Sequence, residues 1–273
     1  MKPASAPGSG LIPRRAFLTG LTASAGAVST SRLFAADAPA DGPWRAAVIG
    51  HTGQGDYGHS LDAIFNGRED VQVVAVVDPQ AAGRAKAAER SKAQRQYADY
   101  RMMLDQEKPQ LVCLAPRWSL ERRAMALAAL KAGAHLITEK PFTPTLAEAD
   151  EILAAADKSG RKIAVAHQMR NAPSIVQLKK ALADGLIGDL LQLRAWGKQD
   201  DRAGGEDMIV LGSHLFDLMR GLAGDPVWCS ARVTQNGREI TKADARTVKE
   251  QIGPVAGNEI EAHFAFARTR FQK

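Results

Sequence analysis

Glycines spaced for close backbone approach are the first residues in this 273-residue chain with a chemical meaning. Gly50-His51-Thr52-Gly53-Gln54-Gly55-Asp56-Tyr57-Gly58 follows directly on the apolar run at 46–49. With no Cβ at Gly50, Gly53, Gly55 and Gly58, backbone N–H groups can approach a pyrophosphate, and a helix opening near His59 would add unpaired donors. Gly53-x-Gly55-x-x-Gly58 has the dinucleotide-binding spacing, and Gly50 is an extra glycine at the strand end. The loop therefore runs about three residues longer than the usual pattern, which leaves open which glycines meet phosphate. The next apolar run, 71–77, ends at Asp78-Pro79. A carboxylate there accepts hydrogen bonds from the adenosine ribose and repels a 2′-phosphate, which favours NAD over NADP. The competing reading is a glycine turn that merely caps a helix, with Asp78 opening a turn before Pro79.

Such a loop needs a sheet to aim it. Runs at 46–49, 71–77, 111–115, 135–138 and 163–166 are apolar on both faces, the pattern of strands buried between helical layers. Helix-like segments at 60–66, Ala81–Ser91, 120–132 and Leu146–Ser159 alternate with them, and Gly133 and Gly160 follow the last two as C-caps. The alternation predicts an α/β Rossmann domain with a doubly wound parallel sheet. After His167 the pattern changes to a helix at 173–184, a strand at 190–196, a long helix at 207–222 and a strand at 227–233. Ile260, Ala262, Phe264 and Phe266 then alternate with more polar neighbours. This predicts an α+β domain with an open sheet. That sheet reads as truncated, because its last strand runs almost to Lys273 and would leave an uncovered edge. The expected division is 1–40 as export signal and linker, 41–167 as the dinucleotide-binding domain, and 168–273 as an incomplete substrate and oligomerisation domain.

Hydrophobic residues make up 45% and charged residues 24%, which excludes a disordered chain, a collagen-like repeat and a multi-span membrane protein. The net charge of +6 says little about nucleic acid, because Lys2, Arg14, Arg15 and Arg32 lie in the first 36 residues with no acid among them. Pro13-Arg14-Arg15-Ala16-Phe17-Leu18 precedes a mildly apolar stretch and small residues at Ala35, Ala36, Ala38 and Ala40. It resembles a twin-arginine signal, although Pro13 and Thr19 depart from the usual residues. The expectation is export through that machinery to the periplasm or cell envelope, with no stable membrane span. The two cysteines, Cys113 and Cys229, form no metal-ligand pattern, and no metal is expected.

Beyond the glycine loop and Asp78-Pro79, the chain carries Ala115-Pro116, Ala132-Gly133-x-His135 and Glu139-Lys140-Pro141. It continues with Ala166-His167-Gln168-x-Arg170, Gly185-x-Ile187-Gly188 and Gly212-Ser213-His214-x-x-Asp217. Together these resemble the Gfo/Idh/MocA oxidoreductase family over nearly all of 44–233. The resemblance implies hydride transfer between NAD(P) and a sugar, polyol or related alcohol, and a homo-oligomer for the full-length form. It implies a catalytic Lys140 between nicotinamide and substrate, where an ammonium stabilises a developing alkoxide and relays its proton. It also implies cofactor contacts at Pro116, Glu139 and Lys140, and a catalytic His214. The family helix places an Asp one turn before this His, and here that position is Val210. Asp207 could supply a substitute charge or only a helix cap. Gln168 and Arg170, at a strand end, are candidate substrate contacts, and Asp207 is a third. An exported enzyme without a free coenzyme pool implies a tightly held cofactor. Two alternatives stand beside this reading: an NAD-dependent glycosidase or eliminase of the same family, and a catalytically degenerate nucleotide-binding protein.

Overall fold

The computed structural model describes residues 42–248, 250 and 252–267. The export signal expected over 1–40 lies outside the described residues. Strands β1 (Trp44–Ile49), β2 (Val71–Val77), β3 (Arg95–Tyr97), β4 (Leu111–Leu114), β5 (His135–Thr138) and β6 (Ile163–Val165) form a six-stranded sheet in the order β3-β2-β1-β4-β5-β6. Every pairing in it is parallel. The winding reverses between β1 and β4, so a crevice opens at their carboxyl ends.

Four helices, α1 (Ala81–Ser91), α2 (Tyr100–Glu107), α3 (Arg122–Lys131) and α4 (Leu146–Ser159), make the crossovers. Ala47, Ile49, Val112, Leu114 and Leu136 pack on one face with Met125 and Ile152, while Ala46, Val48, Leu111 and Cys113 pack on the other with Ala87 and Ala88. Burial on both sides explains why these strands read as unbroken apolar runs.

The structure adds β3 and α2, which the apolar pattern does not reveal. β3 is three residues long, and α2 is announced chiefly by its cap, with the Asp99 carboxylate accepting from Arg101 N at 2.7 Å and Met102 N at 3.0 Å. It also corrects the helix expected at 60–66, of which only a 3-10 turn at Leu61–Ala63 forms. Gly58 and Ser60 have φ of 58° and 63°, and left-handed residues cannot continue a right-handed helix.

The second region contains a 3-10 turn at Gln168–Asn171, α5 (Pro173–Ala183), a short turn at Gly205–Asp207, a π turn at Met208–Gly212 and α6 (Ser213–Ala223). Strands β7 (Pro226–Gln235), β8 (Arg238–Glu239), β9 (Arg246–Thr247), β10 (Pro254–Val255) and β11 (Glu259–Phe266) follow. They form an antiparallel sheet ordered β11-β7-β8 and a separate β10-β9 pair. The strand expected at 190–196 does not form. A strand needs a ladder partner, and a cavity of about 1450 Å³ separates this segment from β11. Leu191 is left 85% exposed and Trp196 68% exposed. No helix among the described residues is long and apolar enough to cross a membrane.

Candidate active site

Lys140 follows the end of β5 with its side chain turned inward, only 2% exposed. Its Nζ donates to the Val210 carbonyl at 2.9 Å, which joins the parallel-sheet domain to the π turn ahead of α6. Burial holds the ammonium below the ordinary lysine range, against the opposing pull of Glu139 and Glu250. The turn that carries Lys140, with a cis Lys140-Pro141 peptide, is braced by Arg122 from α3. That fully buried guanidinium donates to Thr138 Oγ1 at 2.5 Å, to the Pro141 carbonyl at 3.3 Å, and to the Glu139 and Pro116 carbonyls. With carbonyl and hydroxyl acceptors around it, burial pushes Arg122 down to about 10.

His214 on α6 is 8% exposed, and its ring meets that of His167 edge-on with centroids 5.4 Å apart. The Nδ1 atoms of both rings are buried without a hydrogen-bond partner. Burial lowers the proton affinity of both. Lys140 and His167 add to the lowering at His214, whereas Asp217 opposes it at His167. Val210 is packed among Val248, Ile252 and Val255, so the π turn ahead of α6 offers no carboxylate from that position. The pair is therefore neutral near pH 7, with nitrogens able to accept a proton.

Glu139 is buried; its Oε2 accepts from Lys140 N at 2.6 Å, and its Oε1 accepts from His59 N at 3.1 Å and contacts His59 Nδ1. The glycine loop folds down on the crevice, with His51 and Asp56 bridged antiparallel. A Cβ at Gly50 would lie 2.1 Å from the Tyr57 ring, at Gly55 2.3 Å from Trp118 N, and at Gly58 2.5 Å from Glu139 Cγ. Gly53, with φ of 83°, has open space around it. Asp78 is fully buried at the end of β2. Its Oδ2 accepts from Thr52 N at 3.0 Å and Thr52 Oγ1 at 2.7 Å, and its Oδ1 from Gln80 N at 2.8 Å.

The remaining candidates are scattered more widely. Pro116 is buried at the end of β4. Gln168 is exposed, and the Arg170 guanidinium forms a two-pronged ion pair with Asp217, one arm at 2.9 Å. Asp207 does not cap a helix. It is buried, accepts from Lys198 N at 2.6 Å, and leaves no room for a Cβ at Gly197. Sequence reasoning missed Thr52, Arg117, Arg122, His167 and Glu250. Arg117 donates to the Gly55 carbonyl through its backbone at 3.1 Å and to Glu250 Oε2 through its side chain at 2.7 Å, tying loop to second region. His167 had one available signal, its place beyond the end of β6 on the ligand-binding side of the sheet.

The donor set at the redox end of the crevice suits a nicotinamide dinucleotide, because the buried amine of Lys140 adjoins two imidazoles with orphaned nitrogens. At the adenosine end Asp78 has the right place, but its carboxylate is engaged by Thr52. No group of three or more His, Cys, Asp and Glu residues among those described could hold a metal ion.

Residues 44–167 match the GFO_IDH_MocA family model, an oxidoreductase family with an NAD-binding Rossmann fold. The chain is 30% identical over 194 residues to D-apiose dehydrogenase of Paraburkholderia graminis, covering 66% of this chain and 50% of that one. It is 29% identical over 198 residues to D-glucoside 3-dehydrogenase of Escherichia coli, covering 67% and 55% respectively. The chain thus spans about half the length of these curated relatives. A solved levoglucosan dehydrogenase in complex with NADH and levoglucosan superposes with a TM-score of 0.65 at 23% identity, over 82% of this chain and 64% of that one. The parallel-sheet domain at 44–167 is accordingly similar to the NAD-binding Rossmann fold of the Gfo/Idh/MocA oxidoreductase family.

Proposed function

We propose that the chain belongs to an NAD(P)-dependent oxidoreductase that moves hydride between nicotinamide and a CH–OH group of a sugar, polyol or related alcohol. The observation that carries this reading is the Lys140 amine, buried at the mouth of the Rossmann crevice and tied to Val210 beside the His214–His167 pair. The names of the relatives, dehydrogenases of apiose and of glucosides, point to the same substrate class.

Gly53 and its loop neighbours, Asp78, Pro116 and Glu139 would line the coenzyme. The bound nicotinamide supplies the hydride acceptor or donor. Lys140 stabilises the oxygen that changes between alkoxide and carbonyl, and passes its proton on. The neutral imidazole of His214 takes that proton, and His167 holds the ring in place. Arg122 keeps the Glu139–Pro141 turn aimed into the crevice.

The test is direct. Purified protein is denatured and released nucleotide identified by mass spectrometry, and absorbance at 340 nm is followed on addition of candidate sugars. Released or tightly bound NAD(P) is expected. Absence of any nucleotide, with no binding on addition, would overturn the assignment. Lys140→Met is expected to lower turnover by about 10²–10⁴ while leaving nucleotide bound.

A second reading draws on the absence of a carboxylate at Val210. Oxidation at C3 of a glycoside acidifies the C2–H bond, and a neutral imidazole can remove that proton as the C1–O bond breaks. In this chemistry reduced coenzyme would not accumulate, and the substrate C2 proton would exchange with deuterated solvent. Export through the leader to the cell envelope and a homo-oligomeric full-length form belong to the same proposal. An Arg14→Lys, Arg15→Lys double variant that still leaves the cytoplasm at the wild-type rate would refute the export route.

A further inference from the structure

We propose that Thr52 occupies the acceptor site of Asp78 and thereby relaxes discrimination between NAD and NADP, with Arg84 offering the cation for a 2′-phosphate. The inference rests on the coenzyme reading above. An aspartate at the end of the second strand favours NAD because its carboxylate receives ribose hydroxyls and repels a phosphate. Here that carboxylate is fully buried and already receives three hydrogen bonds, from Thr52 N, Thr52 Oγ1 and Gln80 N. A carboxylate has about four acceptor positions, so little capacity is left for a diol.

The arrangement is built into the helix that faces it. A Cβ at Gly83, within α1, would lie 1.8 Å from Thr52 Oγ1 and 2.9 Å from Asp78 Oδ2. No left-handed backbone requires glycine at this position. Its one visible consequence is room for the threonine hydroxyl, at a site where glycine weakens a helix. The next residue, Arg84, sets its Nη1 2.5 Å from the Asp78 carbonyl and is only partly buried. A guanidinium there can pair with a phosphate in bidentate fashion. Donors on the carboxylate and a cation beside it both weaken the repulsion that would exclude NADP.

The experiment is a fluorescence titration of the full chain with NADH and with NADPH, before and after Thr52→Val and, separately, Gly83→Ala. Valine keeps the volume of threonine and removes the hydroxyl; alanine at 83 drives that hydroxyl off Asp78. Wild-type dissociation constants for the two nucleotides are expected within about tenfold of each other, one charged hydrogen bond being worth roughly that factor. Both variants should shift the ratio toward NADH by about fivefold or more. Arg84→Gln should weaken NADPH more than NADH. A wild-type preference for NADH above about a hundredfold, or a ratio that Thr52→Val leaves unmoved, would overturn the proposal. Failure of both nucleotides to bind would instead overturn the coenzyme reading on which it rests.

Discussion

Acid should unfold this protein through one identifiable pair of side chains. His167 and His214 sit edge-on at 5.4 Å, and burial depresses the proton affinity of both. In the unfolded chain each imidazole titrates near pH 6.5. Between that pH and its lower folded value, the unfolded state binds more protons than the native state. Stability is therefore fully present above 6.5 and falls as pH drops through the window. From pH 7.5 to 5.5, the ceiling is about 1.4 kcal/mol for one imidazole that stays neutral in the native state and protonates when unfolded, and about 2.7 kcal/mol for two. Repulsion between two adjacent imidazolium rings opposes a second native-state proton. Urea unfolding at pH 7.5, 6.5 and 5.5 measures it, with the His167→Gln, His214→Gln double variant as reference, since His51, His59, His135 and His263 remain in both. The variant should lose less stability than the wild type, by up to about 2.7 kcal/mol. Equal losses in the two proteins would refute the reasoning.

Replacing Arg122 by Met should destabilise the fold by about 3 kcal/mol or more, because several buried carbonyls lose a charged donor, and thermal unfolding will read this. Gly58→Ala should cost roughly 2 kcal/mol or more, since φ is 58° and the new Cβ would press on Glu139 and the Ala115 carbonyl; chemical denaturation tests it. Severing Arg170 from Asp217 by Arg170→Met should cost only about 1 kcal/mol and less in high salt, because the arginine is 42% exposed.

Much of the first domain is legible in the chain because a sheet buried on both faces writes itself as apolar runs. Helices α1 and α4 follow from Ala-rich patterns with clear ends, and Gly160 marks the second of these. Three failures have local causes. The helix expected after the glycine loop cannot begin at Ser60, a residue whose left-handed backbone no composition rule announces. The segment 190–196 has the composition of a strand, but pairing is a property of its neighbours. Asp78 was found by position alone; its engagement by Thr52 depends on how an unusually long loop folds back. Lys140 was found through its Glu-Lys-Pro setting. His167 was not, because the second ring that gives it meaning lies 47 residues away on α6, at Asp217's neighbour His214, and only packing brings them together.

The contact between Lys140 and the backbone oxygen of residue 210 has a consequence for the whole cycle of proton movement. A carboxylate in that place would hold the lysine most strongly as a cation and resist its loss of a proton. A peptide oxygen carries no formal charge and accepts a hydrogen bond from an amine as well as from an ammonium. The side chain is thus anchored in both of its states, and the tether itself does not titrate at any pH the protein survives.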